Sequence, residues 1–245
     1  FFVQRPAIAF RQLMAFGFTM FALQFTLLFF GMAAGASPGL ASLLLQVQVF
    51  FTVLLAVLFL DEKPSGWQIT GASIAFCGIG LVAANVGGDI SALGMALIIA
   101  AAASWGAGNL ISKRLGQIDM FALVIWGSFV AWPPLLLVSF MVEYSVWNLD
   151  SLSRLTWLSA ASIGYNAYPV TLLGFAAWYW LLSRYPAATV APFSLLVPVF
   201  GFASAAIVMN ETIDAWKLGA TALIMAGLCI NLIASRLASN KAMKN

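Results

Sequence analysis

Residues 39–60 read GLASLLLQVQVFFTVLLAVLFL, a run of 22 residues without a charged side chain. A helix of about 20 apolar residues is long enough to cross the hydrocarbon core of a bilayer. Seven more runs of similar composition lie along the chain, so the sequence predicts eight spans in all. They are residues 12–34, 39–60, 67–86, 92–111, 120–142, 155–182, 187–209 and 215–235. The fold class indicated is an all-α polytopic membrane protein.

The few charged residues of the chain give its orientation. Hydrophobic residues make up 63% of the sequence and charged residues only 8%, gathered between the spans. When successive gaps are assigned to opposite sides, Arg154 and Lys217 fall on one side. The other side holds Arg5, Arg11, Lys63, Lys113, Arg114, Arg184, Arg236, Lys241 and Lys244. The positive-inside rule makes that richer side, and the C-terminus with it, cytoplasmic. The net charge of +3 reflects this bias, so no nucleic-acid partner is predicted.

An internal repeat connects the two halves of the chain. Moving residues 39–87 forward by 149 positions places them on 188–236 and matches Glu62 with Glu211 and Gly78 with Gly227. Ala56 and Trp67 likewise fall on an alanine and a tryptophan. The copies are five spans apart, an odd number, so the second copy is inverted in the membrane. Inverted repeats are typical of transporters, whose substrate site lies near mid-membrane between the halves.

The repeat also predicts the domain organisation. A first repeat occupies residues 1–90 with three complete spans, a second occupies 91–237 with five, and 238–245 form a cytoplasmic tail. Two equal repeats would need ten spans, whereas eight are found. We therefore expect two N-terminal spans, about 50 residues, to precede Phe1 in the complete protein.

Three stretches carry a family resemblance. They are GLASLLLQVQ at 39–48 followed by FFT at 50–52, SWGAGN at 104–109, and VAPFSLLVP at 190–198 running to Glu211 and Thr212. With them the chain resembles the EamA family of the drug/metabolite transporter superfamily, most of all its O-acetylserine/cysteine exporter branch. The resemblance implies a ten-helix bundle that exports small amino acids or derivatives across the bacterial inner membrane by alternating access. A broader metabolite exporter or an aromatic amino acid exporter of the same superfamily is the alternative.

Polar side chains near the centre of the spans are the candidate pathway residues. An amide or phenol that faced lipid without a partner would cost several kcal/mol, so these groups must face protein or a wet cavity. Gln46 and Gln48 point about 200° apart on a helix, so one is expected to line the pathway and the other to bond a neighbouring helix. For each such residue, interhelical bonding is the alternative to a substrate contact. The set comprises Gln24, Gln46, Gln48, Tyr165, Asn166 and Tyr168.

A second candidate face lies on the span at 92–111. Trp105 and Asn109 are four residues apart and share one side of a helix, with Lys113 a turn further on. Asn109 could bond a polar group of a substrate beneath the Trp105 ring. Alternatively, Trp105 packs, Asn109 satisfies a backbone group and Lys113 reaches the lipid headgroups.

Prolines predict two helix breaks. Pro169 removes the usual donor of the Tyr165 carbonyl, and Pro198 does the same for Ser194. Interrupted spans with freed carbonyls often form binding sites in transporters, so Ser194 joins the candidate pathway. A static kink that only improves packing is the alternative for both prolines.

Other functional classes find little support in the sequence. The chain has no histidine, and Cys77 and Cys229 lie in separate spans, where we expect them to be small buried residues. No enzyme activity, metal or cofactor is therefore predicted. A channel would show rings of charge or carbonyl filters, and a scaffold would not need polar groups at mid-membrane. Glu62 and Glu211 lie in turns, where we expect each to support the start of the next helix.

The predicted partners are a small-molecule substrate and the lipid bilayer. Gly31 and Gly35 have the GxxxG spacing that allows close helix contact. We expect them to pack within the bundle of a monomer, with dimerisation as the alternative.

The predicted orientation can be tested by cysteine labelling. A cysteine replacing Ser112 should react from the cytoplasmic side, and one replacing Asn148 only from outside, because the gaps around them differ in charge. The measurement is modification by a membrane-impermeant thiol reagent in intact cells and in inverted vesicles. Labelling of both positions from the same side would contradict the orientation and the inverted repeat.

Overall fold

A computed structural model describes residues 3–116, 118–153, 155–174, 177 and 196–242. Every regular element in these residues is helical, which confirms the predicted all-α class. The elements are α1 Phe10–Gly17, π1 Phe18–Leu23, α2 Gln24–Ala33, α3 Pro38–Leu45, α4 Gln48–Leu60, α5 Gly66–Ala84, α6 Ala92–Leu115, α7 Met120–Val142, a 3-10 turn Tyr144–Val146, α8 Leu149–Ser153, α9 Trp157–Tyr165, π2 Asn166–Leu173, α10 Leu196–Met209 and α11 Ala215–Ala242.

Six segments of the described chain are long and apolar enough to cross a membrane. They are Phe10–Ala33, Pro38–Leu60, Gly66–Ala84, Ala92–Leu115, Met120–Val142 and Ala215–Ala234. Each agrees with a predicted span to within a few residues. The predicted spans 155–182 and 187–209 correspond to α9 with π2 and to α10, and the remaining residues of both lie mostly outside the described ranges.

Short polar turns set where the helices begin. The Ser37 hydroxyl accepts the Leu40 N–H at 3.4 Å, with Pro38 as the first helical residue of α3. Ser65 and Gln68 form a reciprocal pair at the start of α5, a capping box. These caps satisfy amide groups that a helix leaves unbonded at its first turn. Each turn thereby ends one span and starts the next in the opposite direction.

Small residues bring α6 close to both of its neighbours. A Cβ on Gly94 would lie 2.8 Å from the Gly31 carbonyl oxygen on α2, and one on Gly106 would lie 2.8 Å from Phe51 Cβ on α4. In lipid no hydrophobic effect drives helices together, so they associate through close van der Waals contacts of this kind. Gly31 is therefore used for packing inside the protomer.

Helices α5 and α11 cross in an antiparallel, reciprocal contact. A Cβ on Gly71 would lie 2.6 Å from the Gly227 oxygen, and one on Gly78 would lie 3.0 Å from the Ala220 oxygen. The shift of 149 positions carries Gly71 onto Ala220 and Gly78 onto Gly227, and so exchanges the two pairs. Reciprocal pairing of this kind is what two copies make across a two-fold axis.

The outer faces of the bundle are apolar. Large side chains such as Phe76 and Leu58 are 53% and 62% exposed, as expected for surfaces that meet lipid. Cys77 and Cys229 lie on the same kind of exposed face. The expectation that both cysteines are buried inside the protein is wrong, because their helices turn these positions toward the bilayer.

The α5–α11 contact predicts a position-dependent effect of one substitution. Gly71→Ala should destabilise the protein by about 1–3 kcal/mol, because its Cβ would meet backbone that cannot give way. Gly80→Ala in the same helix is the matched control, since nothing lies within 4 Å of its Cβ. The control should be neutral or stabilising by up to about 1 kcal/mol through helix propensity. Equal thermal unfolding of the two variants in detergent would contradict the contact.

Candidate functional site

The second span is interrupted near its middle. Helix α3 ends at Leu45 and α4 begins at Gln48. Between them Gln46 N–H bonds Leu43 O and Val47 N–H bonds Leu44 O, each at 3.1 Å and only three residues back. No proline or glycine marks the break. The tight turn takes the backbone around Gln46 out of the regular α-helical ladder inside the bundle.

A cluster of neutral polar side chains lies beside this break. Asn109 Nδ2 donates to Gln48 Oε1 at 2.7 Å and to Thr52 Oγ1 at 3.1 Å. The Thr52 hydroxyl donates in turn to the Gln48 carbonyl at 2.8 Å. Gly106 allows the close approach of α6 to α4 that these bonds need. We call Gln48, Thr52 and Asn109 the amide cluster.

The amide cluster keeps hydrogen-bonding capacity for another molecule. Its three side chains are half-buried, and the bonds found among the described residues use Gln48 Oε1 and Asn109 Nδ2. The Gln48 Nε2 group can still donate, and the Asn109 Oδ1 atom can still accept. Trp105 is also half-buried and lies one helical turn from Asn109. The cluster can therefore bind an acidic and a basic group at once without carrying a charge.

The other predicted pathway residues fall into two groups. Gln24 and Gln46 are buried, at 3% and 5% exposure, on the first two spans. Tyr165, Asn166 and Tyr168 are exposed, and the Asn166 amide donates to Ser162 O in its own helix at 3.0 Å. The structure thus brings Gln48 together with Asn109. Ser194 lies outside the described residues.

Two spans contain π-helical segments. Pro169 lies within π2, where Thr171 Oγ1 donates to the Asn166 carbonyl at 2.8 Å. Pro198 is buried in α10. The segment π1 was not predicted, since nothing in its sequence signals an interruption. Its Thr19 carbonyl accepts the Ser104 hydroxyl of α6 at 2.8 Å.

A buried ionic cluster lies at one end of the bundle. The Lys217 side chain is 0% exposed and lies 2.5 Å from Asp89 Oδ2 and 3.4 Å from Glu211 Oε1. It also donates to the Thr212 carbonyl at 2.5 Å, and Asp214 Oδ2 lies 3.9 Å away. We call Asp89, Glu211 and Lys217 the ionic cluster. A buried ammonium needs such partners because its desolvation is costly.

Glu211 also holds the start of another helix. Its carboxylate accepts the Ser37 hydroxyl at 2.6 Å and the Gly39 N–H at 3.2 Å, both at the beginning of α3. Glu211 contacts the helix that follows it through Lys217 in the first turn of α11. Its bonds to the start of α3 were not predicted, and they form because the chain folds α3 against the turn before α11. The charge pattern of the sequence placed Lys217 among the ordinary loop charges. The spacing of six residues between Glu211 and Lys217 was the sequence signal that could have indicated an ion pair between them.

The opposite end of the bundle carries an exposed ion pair. Lys113 Nζ lies 2.6 Å from Glu62 Oε1, and the two side chains are 51% and 46% exposed. Such surface pairs contribute about 0–1 kcal/mol. Arg114 donates to the Phe59 carbonyl at 2.5 Å. Lys113 therefore pairs with a carboxylate, an arrangement that neither sequence alternative included.

The described residues contain no group of three or more metal-ligating side chains placed to hold a metal ion.

Comparisons with known proteins agree with this architecture. The model of the EamA-like transporter family matches residues 2–84 and 92–233. A probable amino-acid metabolite efflux pump of Salmonella typhimurium is 38% identical over 96% of this chain and 81% of its own length. The Escherichia coli protein of the same name is 36% identical over the same shares. A probable terminal-alkyne amino-acid exporter of Streptantibioticus cattleyicolor is 25% identical over 78% of this chain and 63% of its own length.

A solved crystal structure shares the fold. It covers 94% of this chain and 90% of its own, with a TM-score of 0.53 and 19% sequence identity. At that identity the likeness concerns the helical architecture alone.

The bond between Gln48 and Asn109 can be measured with a double-mutant cycle. Gln48→Ala and Asn109→Ala should be coupled by about 0.6 kcal/mol, and at most by about 1.7 kcal/mol, the range found for interhelical bonds in lipid. The measurement is the free energy of unfolding in mixed micelles. Ser112→Ala replaces Asn109→Ala in the control cycle, because the Ser112 hydroxyl bonds the Asn109 carbonyl and not Gln48. Coupling of equal size in both cycles would contradict the assigned bond.

Proposed function

The chain belongs to the EamA-like transporter family, and we propose that it exports small amino acids or their derivatives from the cell by alternating access. It is a multi-pass membrane protein with a small-molecule substrate. The observation that carries the proposal is the amide cluster, a neutral group of donors and acceptors beside a broken span. The names of the two most similar relatives described above support the substrate class.

A zwitterion suits the chemistry of the amide cluster. The Gln48 Nε2 group can donate to a carboxylate while the Asn109 Oδ1 atom accepts from an ammonium. The Trp105 ring, a turn away, offers an apolar surface for a short side chain. Cysteine and O-acetylserine fit this description and are the substrates that we propose first. Aromatic amino acids and other neutral metabolites are the alternatives.

Alternating access is supported by the crossing of α5 and α11. The reciprocal pairing of Gly71 with Gly227 and Gly78 with Ala220 is what an inverted repeat would place on its axis. We assign residues 1–90 and 91–237 to the two repeats, with the tail 238–245 in the cytoplasm. Asn166, Tyr168 and Ser194 would then supply the second wall of the pathway, and Tyr165 and Gln24 would border it.

Transport in proteoliposomes tests the function directly. The full-length protein should catalyse saturable counterflow of one amino acid against another. A carrier that has released one substrate molecule on one side can return across the membrane with another one bound. The panel comprises cysteine, O-acetylserine, aromatic amino acids, nucleosides and lipophilic cations. Steady conductance in a planar bilayer, without saturable counterflow, would show a channel instead.

Two glutamine variants test the site. Gln48→Ala should weaken substrate affinity by roughly 10- to 150-fold, the loss expected for one hydrogen bond to a charged group of the substrate. Gln46→Ala is the matched control, since Gln46 is buried beside the break, and it should lower thermal stability more than affinity. The measurements are half-saturation in counterflow and unfolding temperature. Unchanged affinity in folded Gln48→Ala and Asn109→Ala protein would place the site elsewhere.

A further inference from the structure

The ionic cluster joins parts of the chain that are far apart in sequence. The side chain of Lys217 at its centre is fully buried. It connects the first turn of α11 to Asp89, in the loop between α5 and α6, and to Glu211, in the turn after α10. All of these residues lie in gaps that the charge pattern assigns to the outer side of the membrane. The cluster therefore ties the outer ends of several helices.

The start of α3 is fixed from three sides at this end. Glu211 bonds Ser37 and Gly39, and the Ser37 N–H donates to the Asp89 carbonyl at 2.9 Å. A Cβ on Gly39 would lie 2.6 Å from Phe202 Cδ1, so α3 is also pressed against α10. The outer end of α3 is therefore held by the ionic cluster and packed tightly against α10.

Helix α3 extends from this cluster to the middle of the bundle. It has eight residues and ends at the break beside Gln46. At this break the amide groups bond three residues back instead of four, so the change of helical geometry gives α3 a place to pivot relative to α4. Movement of the outer end of α3 would separate it from α10 and open the bundle toward the outside.

We propose that the ionic cluster is the outer gate of the transport pathway, shut in this structure, and that Glu211 and Lys217 are the positioning residues that hold α3 in the closed place. The inference rests on the proposed transport function and adds to it the group that must separate for release outward. Glu62 is the counterpart of Glu211 under the shift of 149 positions, yet among the described residues its carboxylate forms an exposed pair with Lys113. The two ends of the bundle are thus tied unequally, as one state of an alternating carrier requires.

A buried cysteine can report the opening of the gate. Ala41 is 3% exposed and lies one turn inside α3, so Ala41→Cys should react slowly with an impermeant thiol reagent added outside. Glu211→Gln keeps the size and most hydrogen bonds of the side chain and removes its charge. In the full-length protein it should accelerate labelling at position 41 by about tenfold or more, the change expected when a charged hydrogen-bond partner is lost.

Two controls and a second test variant accompany the labelling of position 41. Glu62→Gln should leave labelling at position 41 unchanged, because its ion pair is exposed and lies at the other end. Ser37→Ala removes one hydroxyl bond and should accelerate labelling to a smaller extent, which provides a reading if Glu211→Gln fails to fold. The parent chain without the Ala41→Cys change gives the background of Cys77 and Cys229.

If the Ala41→Cys protein is labelled at the same rate with and without Glu211→Gln or Ser37→Ala, the gate is overturned. Equal acceleration by Glu62→Gln would overturn it as well. In transport assays Glu211→Gln should change turnover while substrate affinity stays constant, whereas Gln48→Ala should change affinity. Labelling needs no substrate, so the gate and the proposed substrate class can fail independently.

Discussion

The structure depends on one constraint, that a backbone amide or carbonyl inside a bilayer must bond within the protein. Each interruption of a span meets it locally. The Thr19 carbonyl in π1 accepts the Ser104 hydroxyl of α6, and the Asn166 carbonyl in π2 accepts the Thr171 hydroxyl. At the break beside Gln46 the amide groups bond three residues back. Irregular backbone is therefore tolerated because neighbouring hydroxyl groups and tight turns supply hydrogen bonds to its carbonyl and amide groups.

The same constraint separates neutral from charged groups along the membrane normal. Neutral amides lie beside the break in the middle of the second span, whereas the ion pairs of Lys113 and Lys217 lie at helix ends. A charge in the middle would have to be neutralised or hydrated there. In the function proposed above, this arrangement would leave the middle of the bundle free for the charges of a substrate, while the chain's own charges hold the helix ends together.

Sequence patterns predicted much of the fold, because hydrophobic length and loop charge are local properties. Six of the eight predicted spans are candidate spans among the described residues. The pairing of Gln48 with Asn109 was not predictable, since it depends on which helices become neighbours. The contact of Lys217 with Asp89 was missed for the same reason, since the two residues are more than a hundred positions apart in the chain. The break at Gln46 has no proline or glycine, and only the two glutamines in an apolar run hinted at it.

The crossing of α5 and α11 has a consequence for exchanging parts between relatives. Backbone meets backbone at Gly71 and Gly227, so the surface of each helix is complementary to the other helix of the same protein. A hybrid of this chain with its 38% identical Salmonella relative should take both helices from the same parent. Swaps that divide the pair would combine two surfaces that were never matched, even where every individual residue is a conservative replacement.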